Sequence, residues 1–467
     1  MKPNAIKQWA VLLLTVSGMT ALPPTTSAFR VATDTTESNK TYVSDGNWAA
    51  LQLVNNITYT GSNINASSTY NSGWGPQFGV YTQAQNQLLL QGGTITTSGS
   101  SSSAYAIFLD ISSGGTLANL TVRTTGASAC GVFVYRNSWI YASQLDISTS
   151  GSHAVGVKID NSSRGVLQDA TINTSGMQGY GIQINGNCYL EATNVTINTT
   201  GSWGHLMQIL SSTAVFTNLN ASSRGENGGA AFSIYGNSGL TVSGGIITSE
   251  NNGISAYGNS NITLNDVSLN GGKLLWWGAA SASTTLTANH SELIGNLKND
   301  LSVVSGELIF NLNDSAFTGD TNINNNFQVT INSSNSTILG DVTGSGSSTL
   351  NINASNSVLI GDIIAADDAV LTVNLDNASE LTGKIDPVDL SVKNNSTWNM
   401  TADSQVNNLL INSGGKIIFQ KDASSFKTLA VTNISGRGEF HMNTDIAANQ
   451  GDLLTVSGDS DGAHRVL

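Results

Sequence analysis

"CGVFVYRNSWIYASQLDISTSGSHAVGVKID", Cys130 to Asp160, contains its own repeat. Gly131-Val132 returns as Gly156-Val157, 25 residues later. Working outward, the same anchor recurs as Gly79-Val80, Ala106-Ile107, Gly181-Ile182, Leu206-Met207, Ala231-Phe232 and Gly253-Ile254. The successive intervals are 27, 25, 25, 25, 25, 25 and 22. A second column keeps this register: Gly99, Gly126, Gly151, Gly176 and Gly201 close short Thr/Ser runs at intervals of 27, 25, 25 and 25.

Each unit opens with alternation. The first and third positions after the anchor residue are Ile107/Leu109, Val132/Val134, Val157/Ile159, Ile182/Ile184, Met207/Ile209 and Phe232/Ile234. Between them stand Phe108, Phe133, Lys158, Gln183, Gln208 and Ser233. Period two predicts a strand with one buried face and one wet face. Ile140, Leu190, Val215, Leu240 and Ile262 suggest a second strand, and Leu120-Val122, Leu145-Ile147, Ile172 and Val195-Ile197 a third. Three short strands per 25 residues describe one coil of a parallel β-helix. A single coil cannot bury its apolar face, whereas stacked coils about 4.8 Å apart fill the centre with aliphatic columns. Asn137, Asn187, Asn237 and Asn259 share one corner offset, where Asn tolerates left-handed backbone and stacked amides can bond along the axis.

The period then shortens. "LIGN", "FTGD", "ILGD", "LIGD" and "LTGK" place Gly295, Gly319, Gly340, Gly361 and Gly383 at intervals of 24, 21, 21 and 22. Tighter coils are expected up to about Asp386-Pro387. A leucine-rich repeat fails for want of its L-x-x-L-x-L pattern.

Composition agrees. Charged residues make up 10% and the net charge is −13, which argues against nucleic acid as a partner. Hydrophobic residues make up 39%, enough for a core, and the 49 Gly with Ser, Thr and Asn suit tight turns. Lys2, Lys7, the apolar "WAVLLLTV" (Trp9–Val16) and "LPPTTSA" (Leu22–Ala28) read as a secretory signal over 1–28, cleaved between Ala28 and Phe29. No other run is long and apolar enough for a transmembrane helix. Cys130 and Cys188 lie two coils apart, roughly 10 Å along the axis, too far for a disulfide. Their parity with the inward columns predicts two buried thiols.

"STWNM" (Ser396–Met400), "VNNLLINSGGKIIF" (Val406–Phe419) and "TLAVTNISGRGEFHMNTDIAANQGDLLTVSGDSDGAHRVL" (Thr428–Leu467) resemble the C-terminal part of autotransporter passenger domains of the pertactin-like and AIDA-like adhesin kind. The resemblance implies an all-β, right-handed parallel β-helix over 29–385. It also implies a C-terminal capping and autochaperone region over 386–467. Family members continue after "HRVL" into a linker helix and a C-terminal β-barrel, which this sequence lacks. The expectation is therefore a passenger exported through the inner membrane. It would reach the cell surface if a barrel is supplied, and otherwise be periplasmic or secreted. A truncated reading frame is the other expectation.

Parallel β-helices also host polysaccharide-acting enzymes, which need clustered carboxylates. Asp110 and Asp160 share one outward offset, but Tyr135 separates them and Arg136 and Arg164 stand nearby. "SGDSDG" (Ser457–Gly462) contains a Gly-Asp-Ser, yet lacks the continuation of a protease motif. The five histidines show no metal-ligand spacing. The sequence therefore predicts no enzyme, no cofactor and no metal. Candidate surface-contact aromatics are Tyr135, Tyr235, Tyr257 and the pair Trp276-Trp277, of which alternation puts one outward. The expected role is adhesion, autoaggregation or biofilm formation. Its partners would be glycans or proteins of host-cell or bacterial surfaces, or further copies of the chain. The alternatives are a β-helical polysaccharide-acting enzyme or a non-functional fragment of a larger autotransporter.

Overall fold

The computed structural model describes residues 29–44, 49–70, 77–99, 104–225, 229–278, 282–299, 305–366, 368–421 and 425–467. The expected leader, with Ala28, lies outside them, and Phe29 begins the first described strand, Phe29–Val31.

The 25-residue unit folds as the repeat predicts. In one coil, Cys130–Tyr135 is followed by Trp139–Thr149, which bends at Gln144. Gln144 has φ 52°, and Asn119, Asp169, Asn194 and Asn218 hold the same corner at φ 53–56° in neighbouring coils. Left-handed backbone costs most side chains more than it costs Asn, which explains the choice of residue. The corner amides also stack: Asn194 Nδ2 donates to Asp169 Oδ1 (2.9 Å) and Asn218 Nδ2 to Asn194 Oδ1 (3.0 Å). The Asn-x-Thr triplets at Asn119 and Asn194 are thus turn chemistry.

Pairing between coils is parallel and in register. Val80, Ile107, Val132, Val157, Ile182, Met207, Phe232, Ile254 and Leu275 are successive partners. All nine are buried, and each such side chain contributes roughly 1.5–3 kcal/mol. The result is an all-β parallel solenoid of about 17 turns, with one continuous core along its length. Parallel pairing runs on across Asp386: Val388–Val392 pairs with Ser404–Ile411, which pairs with Thr428–Gly436. A small antiparallel hairpin, Thr444–Asp445 with Gln450–Gly451, stands beside the last coils.

A buried serine ladder holds one corner. The backbone N–H of Ser291 donates to Ser315 Oγ (3.0 Å), that of Ser315 to Ser336 Oγ (2.9 Å), and that of Ser336 to Ser357 Oγ (3.1 Å). Earlier coils repeat it through Ser113, Ser138 and Ser163, and Cys188 takes the next place: its Sγ accepts from Ser163 N at 3.3 Å.

Three local expectations change. Val215 is not in the second inward column; Leu190 pairs with Ala214, which pairs with Leu240. The turn before that strand, Ser211-Ser212, is one residue shorter than Gly186-Asn187-Cys188. Phe108 and Phe133, expected on a wet face, are 9% and 8% exposed. Cys130 and Cys188 are both buried and unpaired, but Cys130 packs into a separate aromatic cluster, not the main core. The cause is the anchor itself. Ala106 and Ile107 both join the main core, as do Leu206 and Met207, so parity breaks inside each first strand, as in Ala104–Leu109 and His205–Leu210. Burial pushes the Cys130 thiol up to about 12, which keeps it protonated and unreactive.

Candidate functional site: the outward aromatic face

The first strand of each coil sets one outward column between its inward residues. Tyr81, Phe108, Phe133, Lys158, Gln183 and Gln208 are successive partners there, and the column continues to Ser233, Ser255 and Trp276. Beside it Tyr135, Asp160, Asn185, Leu210, Tyr235 and Tyr257 form a second column. Coil spacing of about 4.8 Å is close enough for rings in adjacent coils to stack.

Aromatics gather in two patches. In the first, Phe78 lies 4.7 Å from Tyr81 and 5.4 Å from Phe108, and Phe108 lies 4.9 Å from Phe133. The Lys158 ammonium sits 5.0 Å from the Phe133 ring centroid and the Arg136 guanidinium 5.1 Å from that of Tyr135. In the second, Tyr235 and Tyr257 stack at 5.0 Å and 13°. Trp276 meets Tyr257 edge-on at 5.8 Å, and Lys273 covers the Trp276 ring at 5.1 Å.

The structure thus brings Tyr235, Tyr257 and Trp276 together. It leaves Tyr135 four coils away, roughly 19 Å, in the first patch. Trp277 is corrected: it is 2% exposed and packs edge-on against Phe327 at 6.0 Å, inside the core. Alternation required one of the two tryptophans to face inward, and Leu275 fixes which, because it pairs within the aliphatic column. Sequence reasoning did not single out Tyr81, Phe108 and Phe133 as contact candidates. The available signal was that consecutive coils carry aromatics at one outward offset.

Two polar coils separate the patches. Gln183 Nε2 donates to Gln208 Oε1. His205 stacks on Tyr180 at 5.4 Å, and its Nδ1 accepts from Ala230 N at 2.9 Å. Burial pushes the His205 imidazole down from 6.5 to about 4. The ring is therefore neutral in the fold and must charge in acid. Stability is intact above pH 6.5 and falls as pH drops from about 6.5 toward 4, by up to about 3 kcal/mol from this group. Thermal melts of the wild type and His205→Gln at neutral and acid pH check this. The variant is expected to lose part of the acid shift.

The carboxylates do not form a catalytic pair. Asp110 is buried, and Arg136 grips it twice: Nε donates to Oδ1 at 2.7 Å and Nη2 to Oδ2. Asp160 lies 3.8 Å from the Lys158 ammonium. At the C-terminus, Ser460 bridges to Ile434, and Asp459 N donates to Asn433 Oδ1 at 3.0 Å. His464 packs edge-on against Phe440 at 5.7 Å, and neither ring nitrogen has a hydrogen-bond partner. Gly-Asp-Ser thus runs from a bend into a bridge, and no hydrogen bond joins Ser460 to His464. Among the described residues, no group of His, Cys, Asp and Glu is arranged to hold a metal ion. No helix among them is long and apolar enough to cross a membrane.

Comparisons with known proteins fit this architecture. Residues 130–297 match the family model described as a right handed beta helix region. Residues 406–467 match the Pertactin model. The BrkA autotransporter of Bordetella pertussis is 45% identical over 73 residues, 15% of this chain and 7% of that protein. The autotransporter adhesin/invasin TibA of Escherichia coli O78:H11 is 37% identical over 81 residues, 16% of this chain and 8% of that protein. The pertactin autotransporter of Bordetella bronchiseptica is 38% identical over 87 residues, 18% of this chain and 10% of that protein. The chain thus spans a tenth or less of the length of these relatives. A right-handed β-helix region followed by a Pertactin segment, with autotransporters among the relatives, makes this chain similar to the passenger domains of pertactin-like autotransporters.

Proposed function

We propose that the chain is the adhesive, surface-displayed part of an autotransporter. On this reading it holds glycans or proteins of other surfaces, or further copies of itself, through many weak contacts. The observation that carries the proposal is the stack of Tyr235, Tyr257 and Trp276 on the outside of a solenoid with an autotransporter C-terminus. Rigid aromatic side chains give large contact area at low entropic cost. TibA, one of the relatives, is named an adhesin/invasin. On the same reading the chain is not an enzyme, because Arg136 and Lys158 neutralise Asp110 and Asp160, the candidate pair. Residues 386–467 then act as the cap of the solenoid.

The test is display of the full chain on a non-adherent bacterium through a supplied β-barrel. Cell binding and autoaggregation should rise well above those of the barrel alone. Tyr257→Ala with Trp276→Ala should lower them by about fivefold, the effect of losing ~1 kcal/mol of aromatic contact. Adhesion at the barrel-only level, with equal chain on the surface, would overturn the reading.

A further inference from the structure

The shorter coils carry a groove of about 550 Å³, next to the corner that the serine ladder holds. Asn332, Asn353 and Asn374 line it, with Ser334, Ser355 and Asp376 two residues further along the same strands. Strands Asn326–Ser334, Thr349–Ser355 and Val370–Asp376 hold these positions in register, Asn332 opposite Asn353 and Asn353 opposite Asn374. The groove therefore follows the solenoid axis.

Its amides form a ladder. Asn332 Nδ2 donates to Asn311 Oδ1 (2.9 Å), Asn353 Nδ2 to Asn332 Oδ1 (2.9 Å), and Asn374 Nδ2 to Asn353 Oδ1 (3.0 Å). A primary amide has two N–H groups and two acceptor lone pairs, and the ladder uses one of each. Every rung thus leaves one donor beside one acceptor, the complement of a sugar hydroxyl pair. Rungs recur about every 4.8 Å, close to the length of one pyranose in a linear chain. Ser334 and Ser355 stand beside the ladder on the same outer face of their strands.

We propose that this groove binds a linear, uncharged glycan laid along the solenoid axis, one ring per coil. Two other linear ligands fit less well. An extended peptide repeats every two residues, about 6.6 Å, and falls out of step within two rungs. A polyanion meets a chain of net charge −13, and in the groove itself Lys393 is matched by Asp376, leaving no excess of positive charge to hold it. The proposal gives the adhesive reading a ligand class and rests on it for biological context, while the binding itself can be measured alone.

The experiment titrates the full chain with cellohexaose, chitohexaose and β-mannohexaose, followed by calorimetry. At least one should bind with Kd of about 1 mM or tighter. Asn353→Asp removes a donor, and Ser334→Tyr fills the groove from its rim. Each should weaken binding at least about tenfold, and Tyr141→Ala, at an exposed ring many coils away, should leave it unchanged. If Asn353→Asp fails to fold, Ser334→Tyr carries the test. Absence of binding by all three sugars, survival of binding in Ser334→Tyr, or preference for an oligogalacturonate would overturn the proposal. Hexasaccharide binding by a chain that shows no cell adhesion would overturn the adhesive reading alone. Adhesion without hexasaccharide binding would overturn this one alone.

Discussion

A chain ending at Asp403 should fail to refold to a soluble monomer. The segment removed, 404–467, buries Val406, Leu409, Ile411, Ile417, Phe419, Leu429, Val431, Ile434 and Phe440. Their gross hydrophobic contribution is on the order of 15–25 kcal/mol, offset in large part by the entropy of ordering the segment. The larger effect falls on what remains. Val388–Val392 and Thr397–Met400 would lose their partners, Ser404–Ile411 and Lys416–Phe419. Trp398, fully buried with Nε1 donating to Gly383 O at 2.9 Å, would sit at an open end. An uncovered strand edge with apolar side chains recruits further chains. Refolding from denaturant, followed by light scattering and circular dichroism, checks this. Reversible, monomeric refolding with an unchanged midpoint would sink the proposal that 386–467 is the cap.

Gly340→Ala should be among the most damaging single substitutions. Gly340 has φ +141°, a region that side chains rarely enter. An added Cβ would stand 2.3 Å from Gly319 O and 2.6 Å from its carbon. The atoms in the way are backbone of the adjacent coil, so no rotamer change relieves the clash. Gly295, Gly319, Gly361 and Gly383 form the same column at φ 130–157°, each pressed on the coil before or after it. The expected loss is about 3–5 kcal/mol, against about 1 kcal/mol or less for Thr343→Ala, an outward strand position. Unfolding of a stacked array need not be two-state. Limited proteolysis should therefore show new cleavage between Gly319 and Gly361. An unaltered cleavage pattern and midpoint would count against the column as a packing constraint.

The inward columns were legible because aliphatic residues recur at one offset, as from Val132 to Val157 to Ile182. What escaped the sequence had local causes. Alternation marks Phe108 and Phe133 as outward, but says nothing about rings stacking across coils and covering each other. Parity misplaced Cys130 because the chain turns two consecutive residues inward at each anchor. The serine ladder was in view at Ser113, Ser138 and Ser163, but its meaning depends on a backbone N–H that no side-chain pattern records. Of the candidate contacts, Tyr235, Tyr257 and Trp276 share a patch because their coils are adjacent. Tyr135 lies apart because Asp160, Asn185 and Leu210 intervene.

The one-residue shortening at Ser211-Ser212 shows how such a molecule can change size. The missing residue is absorbed within a corner, and the next coil restores the register, with Leu240 facing Ala214 and Phe232 facing Met207. Elsewhere a single insertion would shift every ladder beyond it by half a pleat. Whole coils carry no such penalty, since each meets its neighbours through the same columns. Lineages of this protein should therefore differ in length by steps of about one coil, and align again on either side of the step.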